Sequence, residues 1–100
     1  MRPFNREELQ PMPEVLKAMS HPTRLWMLRE LAEKERCVCE FAESSGFDFS
    51  TVSKHLSILR HAGLVKDEKR GKNVYYHLRA RCVTEVIACL ERGTSRRNMY

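Results

Sequence analysis

The chain has 100 residues, 42% apolar and 31% charged, which suits one soluble globular domain with a modest core. No apolar run nears the roughly 18 residues of a bilayer span and the first residues lack a secretory signal's apolar stretch, so the four cysteines are expected in the cytoplasm, reduced and open to metal or redox chemistry. The net charge of +5 is uneven: residues 50–79 carry seven Lys/Arg against two acids, while residues 1–49 are net −2 and residues 80–100 net +2. A localised basic stretch is the footprint of a nucleic-acid partner, or of a merely solvated surface.

Residues 1–12 are polar, with Pro3 and Pro11, and read as a flexible N-terminus. A winged helix-turn-helix domain is expected over 13–92 and a polar, disordered tail over 93–100. The first helix spans about Pro13–Met19, with Val15, Leu16 and Met19 along its apolar edge. Ser20-His-Pro-Thr23 is a helix start: Ser20 or His21 caps, and Pro22 sits in the first turn, where its missing N–H costs little. The second helix runs to about Lys34 on a stripe of Leu25, Leu28, Leu31 and Ala32, widened by Met27. Trp26 falls off that stripe and is expected to pack on another element or a second subunit.

Cys37–Ser45 reads as a short third helix with Val38, Phe41 and Ala42 facing inward, closed by Gly46 in a positive-φ conformation. Phe47-Asp-Phe49 forms the turn, and Ser50 is expected to cap the next helix. That helix, Phe49–Ala62, buries Val52, Leu56 and Leu59 at the i, i+4, i+7 spacing. Its opposite face gathers Ser50, Ser53, Lys54, Ser57 and His61, with Arg60 at the edge and no carboxylate. Hydroxyls, cations and an imidazole suit a partner rich in acceptors, as duplex DNA is.

After Gly63 the period changes to two. Leu64–Glu68 and Asn73–Leu78 are strand-like, with Val74, Tyr76 and Leu78 on one face. Between them lies a hairpin tip with Lys69, Arg70 and Lys72 and no anion, able to reach phosphates or the minor groove. The alternative is a charged hairpin protecting an edge strand. A last helix over about Arg79–Glu91 aligns Val83, Val86, Ile87 and Leu90. After a complete winged helix it has little core left to join, so a second subunit is its expected target. The fold class is therefore mainly α with a small β-hairpin, with about five helices and a two-stranded wing.

Five stretches in register carry a resemblance: Ala18–Leu25, Cys37–Glu40, Ser50–Leu56, Leu59–Val65 and Val74–Leu78. Over roughly residues 14–91 the chain resembles the ArsR/SmtB family of bacterial winged-helix repressors. The resemblance implies a homodimer joined through its first and last helices, bound to an inverted-repeat operator in double-stranded DNA and released by an inducer. It also implies DNA contacts from Ser50, Thr51, Ser53, Lys54 and Ser57 and from the wing tip. No membrane, no small-molecule substrate and no permanently bound cofactor are implied.

Cys37-Val-Cys39 is the one chemically pointed motif. Two thiols flanking one residue can converge on a soft ion, and a helix N-terminus with Arg36 alongside favours thiolates. The motif resembles that of the family's arsenic and cadmium/lead sensors, which implies arsenite, antimonite or a Cd, Pb or Zn ion as inducer. The arsenic repressor's third cysteine falls here at Ala42, and residues 1–36 hold no cysteine. A third ligand must then be exogenous, come from Cys82 or Cys89, or be absent, in which case arsenite is not sensed. Cys82 and Cys89 lie seven apart on nearly one face, as apolar interface residues or as extra ligands or a redox pair. The family's last-helix zinc site needs Asp, His and Glu; residues 79–92 have neither His nor Asp.

His21, His55, His61 and His77 show no ligand spacing. His55 is expected to pack between helices, and His61 and His77 to face DNA or solvent. Three functions stand: a dimeric repressor sensing a thiophile at Cys37 and Cys39; the same scaffold as a thiol redox or persulfide switch; or a small cysteine metal buffer without specific DNA binding. Enzyme chemistry is not expected, since no paired-carboxylate site, Gly-rich phosphate loop or Cys–His dyad is present.

Overall fold

The computed structural model describes residues 1–96. In chain order it holds α1 (Arg6–Leu9), α2 (Met12–Met19), α3 (Pro22–Glu33), β1 (Arg36–Cys37), α4 (Val38–Ser45), α5 (Phe49–His61), β2 (Val65–Arg70), β3 (Asn73–Leu78) and α6 (Cys82–Arg96). The strands form an antiparallel sheet in the order β1-β3-β2. This is a winged helix-turn-helix, with α4 and α5 as the helix pair and β2–β3 as the wing. No helix among the described residues is long and apolar enough to cross a membrane.

Local chemistry sets most boundaries. The Nδ1 of His21 accepts from the Thr23 N–H at 3.1 Å and caps α3, with Pro22 in the first turn. Gly46 ends α4 at φ 79°, a conformation costly for residues with a Cβ, and its N–H bonds the Ala42 carbonyl at 3.0 Å. The core gathers Met27, Leu28 and Leu31 of α3, Phe41 of α4, Val52, Leu56 and Leu59 of α5, and Leu64, Val65, Tyr76 and Leu78 around the wing. Trp26 meets Phe41 of α4 edge-on, with centroids 5.4 Å apart, and so packs on another element of its own chain as well as lining the surface between α3 and α6.

Several expectations change. The sheet has a third strand, because Arg36 and Cys37 pair with Tyr76 and Tyr75 of β3 before α4 begins. The segment read as a flexible N-terminus contains one helical turn, α1, with no buried residue. The last helix starts at Cys82 and continues to Arg96, so it absorbs the first residues of the expected tail; residues 97–100 lie outside those described. It also has core to join: Val83 and Ile87 are buried within the main cluster, while Val86 and Leu90 are exposed.

Candidate nucleic-acid interface and cysteine pair

The helix pair is held by caps at both junctions. Cys37 and Glu40 form a capping box at the start of α4, and the Cys37 N–H donates to Glu40 Oε1 at 2.9 Å. At the start of α5 the cap is Asp48 and not Ser50. Its Oδ1 accepts from the Thr51 N–H at 2.7 Å, and that bond holds its carboxyl below the usual carboxylate range. Ser50 lies two residues further in, exposed in the first turn, and its side chain also hydrogen-bonds the Asp48 carboxylate. Ser50, Ser53 and Lys54 are exposed on α5, and Thr51 and Ser57 are half-buried beside them.

The C-terminal end of this face is already engaged. Arg60 Nη1 bonds Asp67 of β2 at 2.9 Å, tying the helix to the wing. The Nδ1 of His61 lies 2.8 Å from the Ser57 carbonyl, which can only accept, so that nitrogen carries the proton. His55 turns inward as expected. Its Nδ1 accepts from Arg24 Nη1 at 3.1 Å, its ring lies 4.6 Å from that of His21, and Arg24 Nε bonds the Ala18 carbonyl. Arg24 thereby links the end of α2, the start of α3 and helix α5. Burial first, then the charges of His21, Arg24 and Lys54, push the His55 pKa down. Arg24 was not singled out from the sequence; a single cation in a first turn gives no signal of this.

The three wing-tip cations differ. Gly71 makes the turn at φ 61°, and Lys69 and Lys72 are exposed, with no ion pair among the described residues. Arg70 is instead clamped: Nη1 and Nη2 reach both oxygens of Glu35 at 2.7 and 2.8 Å, Nη2 and Nε meet Glu68 Oε1 at 2.6 and 2.9 Å, and the guanidinium lies 4.7 Å from the Tyr75 centroid. The expected anion-free tip therefore loses one of its three cations to carboxylates. Those bonds push Arg70 further up and hold Glu35 below its ordinary range.

Cys37 and Cys39 are joined as a disulfide. Cys37 is 2% exposed, closing β1 opposite Tyr75, whereas Cys39 is exposed in the first turn of α4. Arg36, expected to favour thiolates, gives its guanidinium to Glu30 at 3.2 Å and Glu40 at 3.8 Å. A surface pocket of about 240 Å³ adjoins the pair, lined by Val38, Phe49, Ser53, Lys72, Asn73 and Val74. It offers no His, Asp or Glu, and no cluster of three metal-ligating side chains occurs among the described residues. One chain thus supplies two sulfurs and no third donor, which does not fit a three- or four-ligand soft-metal centre. Cys82 and Cys89 are exposed on α6 and do not line the pocket.

The family described as bacterial regulatory protein, arsR family, matches residues 21–67. The chain is 42% identical over 72 residues to a transcriptional repressor SmtB homolog of Synechocystis, covering 72% of this chain and 54% of that protein, about half its length. It is 36% identical over 86 residues to an uncharacterised HTH-type transcriptional regulator of Methanocaldococcus jannaschii, covering 85% of this chain and 97% of that one. The homodimeric winged helix-turn-helix DNA-binding domain of a possible ArsR-family regulator from Mycobacterium bovis superposes with a TM-score of 0.79 at 26% identity, covering 100% of this chain and 94% of that one.

Proposed function

This chain belongs to the ArsR family of bacterial regulatory proteins, and on that footing we propose that it is a DNA-binding transcriptional repressor governed by the Cys37–Cys39 pair. The observation that carries the DNA reading is the outward face of α5. Ser50, Ser53 and Lys54 are exposed there without a carboxylate, and Lys69 and Lys72 extend the basic surface from the wing. In this reading α5 enters the major groove of an inverted-repeat operator, with Thr51 and Ser57 in support. Arg60 and His61 serve from the edge, and the wing lysines reach phosphates. A chromosomal operator places the protein in the cytoplasm.

Two copies act together. The exposed large apolar side chains include Leu9, Met12 and Leu16 near the N-terminus and Val86 and Leu90 on α6, the surfaces expected to join subunits. The homodimeric Mycobacterium relative supports the same assembly.

The inducer is a thiophile of the arsenite, antimonite or soft divalent class, captured by the reduced pair and completed by exogenous or partner-subunit ligands. What supports the pair as sensor is the double duty of Cys37. It is the last residue of β1, hydrogen-bonded into the wing sheet, and the cap of α4. A change at its sulfur acts on the helix pair and the wing together. A second reading, a thiol switch, is favoured by the sulfurs being joined to each other.

The test is fluorescence anisotropy of the protein on its own upstream promoter DNA under reductant, titrated with arsenite, Cd²⁺ and Zn²⁺. Release by one of them, lost in Cys37→Ser/Cys39→Ser, supports the thiophile reading. Tight binding that ignores all three, but yields to oxidation, supports the switch. Absence of sequence-specific binding refutes both.

A further inference from the structure

We propose that the two sulfurs are chemically unequal, and that Cys39 is the entry point for a small anionic disulfide seated in the pocket between β1, α5 and the wing. The inference rests on the reading of Cys37 and Cys39 as the sensor, and it adds an order of steps and a ligand class. Cys37 is 2% exposed and Cys39 is exposed. Thiol–disulfide exchange needs in-line approach of one sulfur to another, so access decides which reacts first. A disulfide arriving from solvent meets Cys39.

The pocket selects what arrives. Val38, Phe49 and Val74 give it apolar walls, Ser53 and Asn73 supply polar groups, and Lys72 is the only charge in the lining. At about 240 Å³ it has room for the substituent of a small thiol. A carboxylate-bearing substituent places its charge near Lys72; a cationic one is repelled.

The steps balance as ordinary exchange. The Cys39 thiolate attacks one sulfur of the incoming disulfide, whose S–S bond breaks. A mixed disulfide forms on Cys39 and one small thiolate leaves. The Cys37 thiolate then attacks the Cys39 sulfur, closing the Cys37–Cys39 bond and expelling the second small thiolate. Two protein thiols are oxidised, one small disulfide is reduced to two thiols, and the two protons pass through solvent to the departing thiolates. The product is the bond present in the structure.

The location gives the first step its own consequence. Ser53 belongs to the recognition helix and Lys72 to the wing tip, and both line the pocket. A substituent on Cys39 therefore occupies space between two DNA-reading elements and neutralises one phosphate-seeking lysine. The mixed disulfide itself displaces DNA, before the intramolecular bond closes.

The experiment uses the full reduced chain with reductant removed. Cys37→Ser/Cys82→Ser/Cys89→Ser, which removes the two exposed α6 thiols and leaves Cys39 alone, is treated with glutathione disulfide (anionic) or cystamine (cationic), and adducts are followed by intact mass. One glutathione per chain is expected on Cys39, forming at least tenfold faster than the cystamine adduct, with operator affinity at least tenfold weaker by anisotropy. A Cys82→Ser/Cys89→Ser chain with both Cys37 and Cys39 in place, acid-quenched early and mapped by peptide mass, should show the same transient adduct on Cys39, which covers the case of a poorly folded Cys37→Ser variant. Equal rates for the two probes, early labelling of Cys37 in the Cys82→Ser/Cys89→Ser chain, or an adduct with unchanged operator affinity overturns the proposal. The underlying sensor reading fails separately: if Cys37→Ser/Cys39→Ser is still released from DNA by arsenite or oxidant, the sensor lies elsewhere, however Cys39 treats disulfides.

Discussion

Removing the two wing lysines together, and Arg70 separately, should separate a phosphate contact from a structural clamp. Lys69 and Lys72 are exposed without ion pairs among the described residues, whereas Arg70 spends its guanidinium on Glu35 and Glu68. Each phosphate contact adds about 0.9 to the slope of log affinity against log salt, so a lysine used by both copies of a dimer adds about 1.8. Lys69→Ala/Lys72→Ala should then flatten the slope by about 3.6, making the affinity loss between about 50 and 200 mM salt roughly a hundredfold smaller. Arg70→Ala should weaken binding, because it frees two carboxylates beside the DNA and unfastens the wing, yet leave the slope within about 0.5 of wild type. The assay is anisotropy on operator and on scrambled duplex across a salt series. A slope that falls by about 1.8 in Arg70→Ala would show that Arg70 leaves its carboxylates for phosphate, and the clamp argument would be wrong.

Lys54→Ala should abolish most discrimination between operator and scrambled duplex while leaving inducer binding intact; unchanged operator affinity removes α5 from the groove. Leu56→Ala deletes a fully buried side chain between α5 and the rest of the core and should cost about 2–5 kcal/mol in urea unfolding; a loss under about 1 kcal/mol would mean the site collapses freely around the gap. Stability should also fall in mild acid. The folded His55 pKa lies below its ordinary value, so the unfolded chain takes up the proton first. Stability from neutral His55 is complete above about pH 6.5 and is lost as pH falls through that value toward the lower folded one. Tm should drop between about pH 7.5 and 5.5, and the drop should shrink in His55→Asn; an equal drop in both proteins assigns it to other groups.

Much of this architecture is legible because its signals are local. Val52, Leu56 and Leu59 repeat with the helix, Val74, Tyr76 and Leu78 with the strand, and Gly46 and Gly71 stand where the backbone needs positive φ. What escapes depends on partners distant in sequence or on competition between equals. β1 is two residues long, too short for any alternation, and exists only because Tyr75 and Tyr76 pair with it. Asp48 and Ser50 are both good caps, and the position of the Thr51 N–H decides for Asp48. The wing tip reads as three equivalent cations until Glu35, thirty-five residues from Arg70 in sequence, folds against it. The CxC spacing identifies the cysteine pair, but only the sheet reveals that one cysteine is buried and the other exposed.

The last helix turns two sides to different tasks: Val83 and Ile87 complete this chain's own core, and Val86 and Leu90 face outward. It is therefore not a detachable zipper. A chimera that replaces α6 with a foreign pairing helix must carry Val83 and Ile87 across at the same register, or the donor will arrive at its new partner with an open core. Conversely, if the proposed dimer forms through α6, rewriting Val86 and Leu90 would change which copy pairs with which, giving two regulators that share one cell without mixing subunits.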